Sequence, residues 1–265
     1  MNRKCVVEVC VDSVESAIAA ERGGANRVEL CSNLLEGGVT PSAGLIAAVR
    51  RAISIPVNVM IRPRGGDFFY SEDEIGIMRQ DIQTAKELGA NGVVLGMLDT
   101  EGNVDARRTS ELVQFSRPLT VTFHRAIDMS RDLVVALQTL MELKVDRALT
   151  SGGEQTAIEG QRTIARLVEA AAGRIAIMAG SGIREENVRQ LIEETGVPEV
   201  HVGMSAPVES PMRSRNERVS MGVVKGREYQ RFGVTQERVE KLVAAACDGA
   251  GETAPSLRAL KPQRK

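Results

Sequence analysis

The stretches GGANRVELC (residues 23–31), LGANGVVLG (88–96), LKVDRALTSG (143–152) and TGVPEVHVG (195–203) are variants of one pattern. Each leaves a helix end, makes a tight turn and enters a short strand. They recur at roughly regular spacing, which marks an internal repeat. Four further strand patterns lie between and before them: Cys5 to Asp12, Pro56 to Arg62, Leu119 to Arg125 and Arg174 to Ala179. Helical stretches separate all eight. The first runs from about Val14 to Arg22 and stops at Gly23-Gly24. Another is opened by Ser71 with Glu74 three residues on, a capping-box spacing.

Eight strands alternating with helices predict an α/β fold, either a closed barrel or a doubly wound sheet. An open nucleotide-binding sheet would carry GxGxxG after its first strand, and the turn there is VDSVES (11–16). The expectation is therefore a single (β/α)8 TIM barrel of eight parallel strands over residues 1–247. A terminal helix begins near Thr235, and residues 248–265 read as a disordered tail. A length of 265 residues suits one such domain.

Composition excludes several classes. The formal net charge is −1, Trp is absent and aromatics are 3%, so neither a steering field nor a stacking platform for nucleic acid is present. No run of about 18 apolar residues predicts a membrane span. The opening MNRKCVVEVC moves straight into a strand pattern without a signal-peptide core. The four cysteines, Cys5, Cys10, Cys31 and Cys247, form no CxxC pair. Free thiols in a reducing cytoplasm are expected. A homo-oligomer is the default assembly.

Strand alternation assigns faces. One face is apolar: Val7, Val9 and Val11, then Val28 and Leu30, then Val59 and Ile61. The other, which faces the barrel interior, holds Glu8, Glu29, Asn58, Arg62, Thr122, His124, Thr150 and His201. Buried charges must satisfy one another or a ligand, and Arg62 against Glu8 and Glu29 is the expected ion pair. These residues serve either as a polar plug or as a site at the C-terminal mouth, where barrels carry their function.

Cys10 and Cys31 fall near the ends of adjacent parallel strands on this inward face, and Met60 follows on the next strand. Strands about 4.8 Å apart can bring two thiolates to one cation. Soft thiolate and thioether ligands select Cu(I). The same cysteines would equally serve as small core residues, and neighbouring carboxylates would raise their pKa values.

Glycine-rich turns follow strands six and seven. Ser151 and Gly152 in the first, and Gly180, Ser181 and Gly182 before the helix REENVRQLI in the second, form a candidate anion site, or simply tight turns. Arg64, in the loop RPRGGDF (62–68), adds a guanidinium near the mouth. No Lys stands at a strand end, no HxH pair occurs and no GxSxG elbow is present. Schiff-base, two-metal and serine-hydrolase chemistries are disfavoured accordingly.

The strings EVCVDS (8–13), RVELCS (27–32), GGVTPS (37–42), MIRPRGGDFFYS (60–71), TFHRAIDM (122–129), LTSGG (149–153) and RSRNERVSMG (213–222) together resemble the CutC copper-homeostasis protein family. The resemblance runs from about Val6 to about Ala246. It implies a (β/α)8 barrel, a cytosolic role in copper homeostasis, and Cu(I) held by the cysteines at positions 10 and 31. Two functional expectations stand side by side. One is a copper protein with Cys10, Cys31 and assisting Met60 as metal ligands. The other is a barrel enzyme acting on a small anionic or phosphorylated metabolite. There His124 would be general acid or base, with Glu8 or Glu29 as its counterpart, and Arg62 and Arg64 would grip the anion.

Overall fold

Eight short strands whose side chains are nearly all buried close on one another without an edge. A computed structural model describes residues 5–221 and 226–247. The strands are β1 (Val6–Val11), β2 (Arg27–Leu30), β3 (Val57–Met60), β4 (Gly92–Leu95), β5 (Thr120–Phe123), β6 (Arg147–Thr150), β7 (Ala176–Gly180) and β8 (Glu199–Gly203). Each pairs in parallel with the next, and β8 returns to β1 with Val6 opposite Glu199 and Cys10 opposite Gly203. The helices are α1 (Val14–Arg22), α2 (Ala43–Ala52), α3 (Glu72–Glu87), α4 (Ala106–Ser116), α5 (Leu133–Glu142), α6 (Gln161–Ala171), α7 (Glu185–Thr195) and α8 (Gln236–Cys247). This is the (β/α)8 barrel expected from the alternation.

The main core lies between the barrel and its helices. Val7, Val9, Val11, Val28 and Leu30 point outward from β1 and β2 and are fully or almost fully buried under helices. The Ser71–Glu74 capping box forms as the spacing predicts: the Ser71 hydroxyl accepts the Glu74 N–H at 3.2 Å, and Glu74 accepts the Ser71 N–H at 2.7 Å. Helix α8 closes the ring beside α1 and α7. Gly23 makes this docking possible, because a Cβ there would stand 2.5 Å from the Val239 Cβ.

Two features depart from the sequence reading. Between β8 and α8 the chain forms a hairpin, β9 (Ala206–Glu209) antiparallel to β10 (Gln230–Gly233), where no strand was expected. Its strands pair across a long insertion, so neither periodicity nor a turn dipeptide announces it. Thr150 does not face the barrel interior. Its neighbours Arg147 and Leu149 do, and the Thr150 hydroxyl donates to Asp128 in the short 3-10 turn after β5. The expected tail at 248–265 lies outside the described residues.

Candidate functional site

The barrel interior is layered, and its lower layer is ionic. Register sets Glu8 opposite both Arg27 and His201. Arg27 donates through Nε to Glu8 Oε2 at 2.5 Å and through Nη2 to Glu199. Asn58 Nδ2 donates to the same Glu8 oxygen at 2.9 Å. Arg147 completes the layer, donating to Glu199 Oε2 at 2.5 Å and to Thr122 Oγ1 at 3.2 Å. Burial works against ionisation of Glu8, but the Arg27 charge and the His201 hydrogen bond outweigh it and hold the carboxyl well below its ordinary value.

Arg62 is not the partner of Glu8 and Glu29, contrary to the expected ion pair. It lies beyond the last ladder pair of β3 (Met60 opposite Val94), and its guanidinium turns to the rim. There it donates to the carbonyls of Glu36 (2.6 Å), Gly38 (3.0 Å) and Gly66 (2.8 Å). Arg27, the first residue of β2, takes the central place because the register brings it to Glu8.

Above the ionic layer lies the sulfur layer. Cys10 and Cys31, both buried and free, have their sulfurs 3.7 Å apart. The Cys31 sulfur also lies 3.3 Å from Glu29 Oε2. Met60, Val94 and the half-buried Leu34 pack around the two thiols. His201 reaches the same point from β8: its Nδ1 lies 2.8 Å from Glu8 Oε1 and its Nε2 lies 3.7 Å from Glu29 Oε2. A cavity of about 890 Å³ opens above, with Cys10, Glu29, Met60 and His201 at its floor.

Electrostatics divide the two thiols. The hydrogen bond from Cys31 lowers Cys10 to about 5, and the nearby His201 charge adds to this against the cost of burial. Cys31, whose proton serves Cys10, is pushed well above its ordinary value, by that partnership first and by burial next. Neighbouring carboxylates therefore do not raise both thiols as the sequence reading expected. Burial raises the Glu29 carboxyl to about 8, helped by the charges of Cys10 and Glu8 and opposed by His201. Burial disfavours a charged His201, but Glu29, Cys10 and Glu8 hold its pKa well above the ordinary value.

The expected anion grips are largely taken by the protein itself. Arg64 does not line the cavity: it pairs with Glu74 at 2.6 Å and donates to the carbonyl of Phe69 at 2.8 Å. In the loop after β6, Asp128 accepts the N–H groups of Ser151 and Gly153 as well as the Ser151 hydroxyl, and Gly152 N–H goes to Thr150 Oγ1. A resident carboxylate fills the nest that sequence offered to a ligand. Ser181 and Gly182 do line the cavity, ahead of α7, but Glu185 and Glu186 follow them there and Ser181 spends its hydroxyl on the Gln155 carbonyl. Gly180 is held close by Leu149, whose Cδ1 would stand 2.5 Å from a Cβ at that position.

His124 sits apart from the sulfur layer. Its Nδ1 accepts the Ala126 N–H at 3.1 Å, which leaves the proton on Nε2, a buried atom with no partner. Burial and the Arg62 charge push it down to about 3, so it stays neutral. Glu8 and Glu29 face His201 rather than His124, so His201 is the histidine paired with carboxylates.

The sequence profile of the CutC family matches residues 5–206, which contain every strand of the barrel and both cysteines of the sulfur layer. The chain belongs to the CutC family. It is 48% identical over 244 residues to the copper homeostasis protein cutC homolog of Mus musculus, covering 92% of this chain and 90% of the relative. Against the Homo sapiens homolog the identity is 51% over 217 residues, 82% of this chain and 80% of that protein. The CutC crystal structure from Streptococcus agalactiae superposes with a TM-score of 0.72 at 36% identity, covering 74% of this chain and 97% of that one. Thiamine phosphate pyrophosphorylase from Pyrococcus furiosus, at 16% identity and a TM-score of 0.57 over 94% of this chain and 98% of that one, shares the barrel fold alone.

In this CutC-family barrel, sequence reasoning missed Arg27, Arg147, Glu199 and Asp128. Strand parity already places Arg27 on the face of Glu29 and Cys31, and that signal sufficed to find it. Asp128 carries no such signal, because it reaches the β6 loop from an irregular turn.

Proposed function

We propose that this protein serves copper homeostasis by holding Cu(I) between Cys10 and Cys31 at the floor of the barrel mouth. One observation carries the reading: two buried, unoxidised thiols stand 3.7 Å apart beneath an open cavity. With metal–sulfur bonds near 2.3 Å, that separation corresponds to an S–metal–S angle of roughly 107°. A linear two-thiolate ion would need the sulfurs about 4.6 Å apart. The bent arrangement calls for a third soft donor, and Met60 packs in the same cluster. Cys10, poised as a thiolate beside a neutral Cys31, supplies the first ligand, and binding releases the Cys31 proton. A reducing cytoplasm, where such thiols stay free, is the compartment this chemistry requires.

The test is an anaerobic Cu(I) titration against a competing chelator for the wild type, Cys10→Ala, Cys31→Ala and Met60→Leu. One-to-one binding that each cysteine change abolishes, and that Met60→Leu weakens about tenfold, is the expected result. Binding indifferent to both cysteines overturns the assignment.

A further inference from the structure

The copper reading uses two thiols and one thioether, and it leaves Glu29 unexplained. Glu29 is 2% exposed and sits directly against the thiol pair. Its Oε2 meets the Cys31 sulfur at 3.3 Å, while its Oε1 is buried with no hydrogen-bond partner at all. A buried carboxyl group with an orphan oxygen costs free energy unless something completes it. Cu(I), a soft ion, gains little from a carboxylate. A borderline divalent ion such as Zn²⁺ binds thiolate, imidazole and carboxylate together.

The distances fit such an ion. The ligand atoms of Cys10, Glu29 and Cys31 all lie within 4.8 Å of one another. A tetrahedral zinc centre has sulfur–sulfur edges of about 3.7 Å and sulfur–oxygen edges of about 3.5 Å. The corresponding separations are 3.7 Å between Cys10 and Cys31 and 3.3 Å between Cys31 and Glu29. His201 adds an arrangement typical of metal sites. Its Nδ1 is bonded to Glu8, which is itself fixed by Arg27 and Asn58, and its Nε2 is turned toward Glu29 at 3.7 Å. A carboxylate behind one imidazole nitrogen orients the other toward a metal or a metal-bound water.

We propose that Cys10, Cys31 and Glu29 form a three-ligand site for a divalent cation of the zinc class, with a fourth position open to the cavity beside His201. Three protein ligands and one open position are the pattern of a zinc site that binds or activates a small molecule, not of a closed structural site. This goes beyond the copper reading; it shares the two thiolates with it and stands or falls separately, because Glu29 is demanded by the divalent ion alone.

Co²⁺ reports the site directly, since tetrahedral cobalt with thiolate ligands gives intense visible bands and a sulfur-to-metal charge-transfer band. The full-length apoprotein is titrated anaerobically with Co²⁺, the cobalt is displaced with Zn²⁺, and Cu(I) affinity is measured in parallel. The variants are Glu29→Gln and Cys10→Ala, with a circular-dichroism melt for each and Glu29→Asp as a second variant should Gln perturb folding. The wild type is expected to show a one-to-one tetrahedral thiolate spectrum. Glu29→Gln should weaken Zn²⁺ by about a hundredfold while changing Cu(I) affinity by less than about threefold, and Cys10→Ala should remove both. An octahedral spectrum without charge transfer, or Zn²⁺ affinity unchanged in Glu29→Gln, overturns the proposal and leaves the copper reading intact. Equal losses of Zn²⁺ and Cu(I) in a folded Glu29→Gln protein also overturn it, since Glu29 would then act on the thiols and not on the divalent ion.

Discussion

Asp128 accepts the backbone N–H of Ser151 with both carboxylate oxygens, at 3.1 and 2.9 Å, and also accepts the Ser151 hydroxyl at 3.0 Å. Further donors arrive from Gly153 N–H and from Arg125 Nε, and the Asp128 side chain is only 5% exposed. Removing this carboxylate leaves several donors without a partner. Asp128→Ala should destabilise the protein by about 3 kcal/mol in urea unfolding. Inorganic phosphate should then raise the melting temperature of the variant more than that of the wild type, because the emptied nest is free to take an anion. A variant as stable as the wild type would show that these donors find other acceptors.

Arg27 is the cation shared by Glu8 and Glu199 in the barrel floor. Arg27→Met keeps much of the volume but takes the shared cation away, leaving Glu8 with Asn58 and His201 and Glu199 with Arg147 alone. A loss of about 3–5 kcal/mol is expected from equilibrium unfolding. Arg27→Lys should recover only part of it, since one ammonium cannot reproduce the two-pronged contact. A loss below about 1 kcal/mol in Arg27→Met would mean that Arg147 and His201 suffice to neutralise the layer.

His124 gives stability a definite pH dependence. Its folded-state pKa falls to about 3 from an ordinary value of 6.5, through burial and the Arg62 charge. The unfolded chain therefore binds this proton more readily, so the contribution is complete above pH 6.5 and is lost as pH falls from there toward 3. Its full size is on the order of 5 kcal/mol. Glu29 and His201 titrate in the opposite sense, so the clean quantity is the difference between wild type and His124→Gln. That difference should shrink steadily as unfolding is measured at lower pH through this window. A difference independent of pH would show that His124 is not held neutral by the fold.

Gly96 lies under the His124 ring. A Cβ at Gly96 would stand 2.5 Å from both Cε1 and Nδ1 of the imidazole and 3.0 Å from the Ala126 Cβ. Gly96→Ala must displace the ring and its hydrogen bond from Ala126, at a cost of about 1–3 kcal/mol. Calorimetry should show a lowered melting temperature, and the pH-dependent term of His124 should be diminished in the same variant. An unchanged melting temperature would mean that the ring has room to move.

The fold was legible because periodicity is local. Each strand, from CVVEVCVD to EVHVG, is a short run entered from a helix end or turn, and the helices carry stops or caps within a few residues of their ends. The β9–β10 hairpin escaped because its strands are far apart in the chain and both are short, with no buried residue to mark a face. The sulfur layer was legible for a related reason: alternation fixes which face a side chain takes, and Cys10 and Cys31 stand near the ends of strands that are neighbours in sequence order as well as in space.

Sequence by itself determined the barrel, the inward polar face and the meeting of two thiols with Met60 nearby, since all of these follow from periods of two and 3.6 residues along one chain. The tertiary structure alone decided the partners: Arg27 rather than Arg62 for Glu8, His201 rather than His124 for the carboxylates, and Asp128 in place of a bound anion. Pairing depends on register, on where each strand leaves the ladder and on the course of irregular turns. Those are set by the closure of all eight strands at once, and no local pattern encodes them.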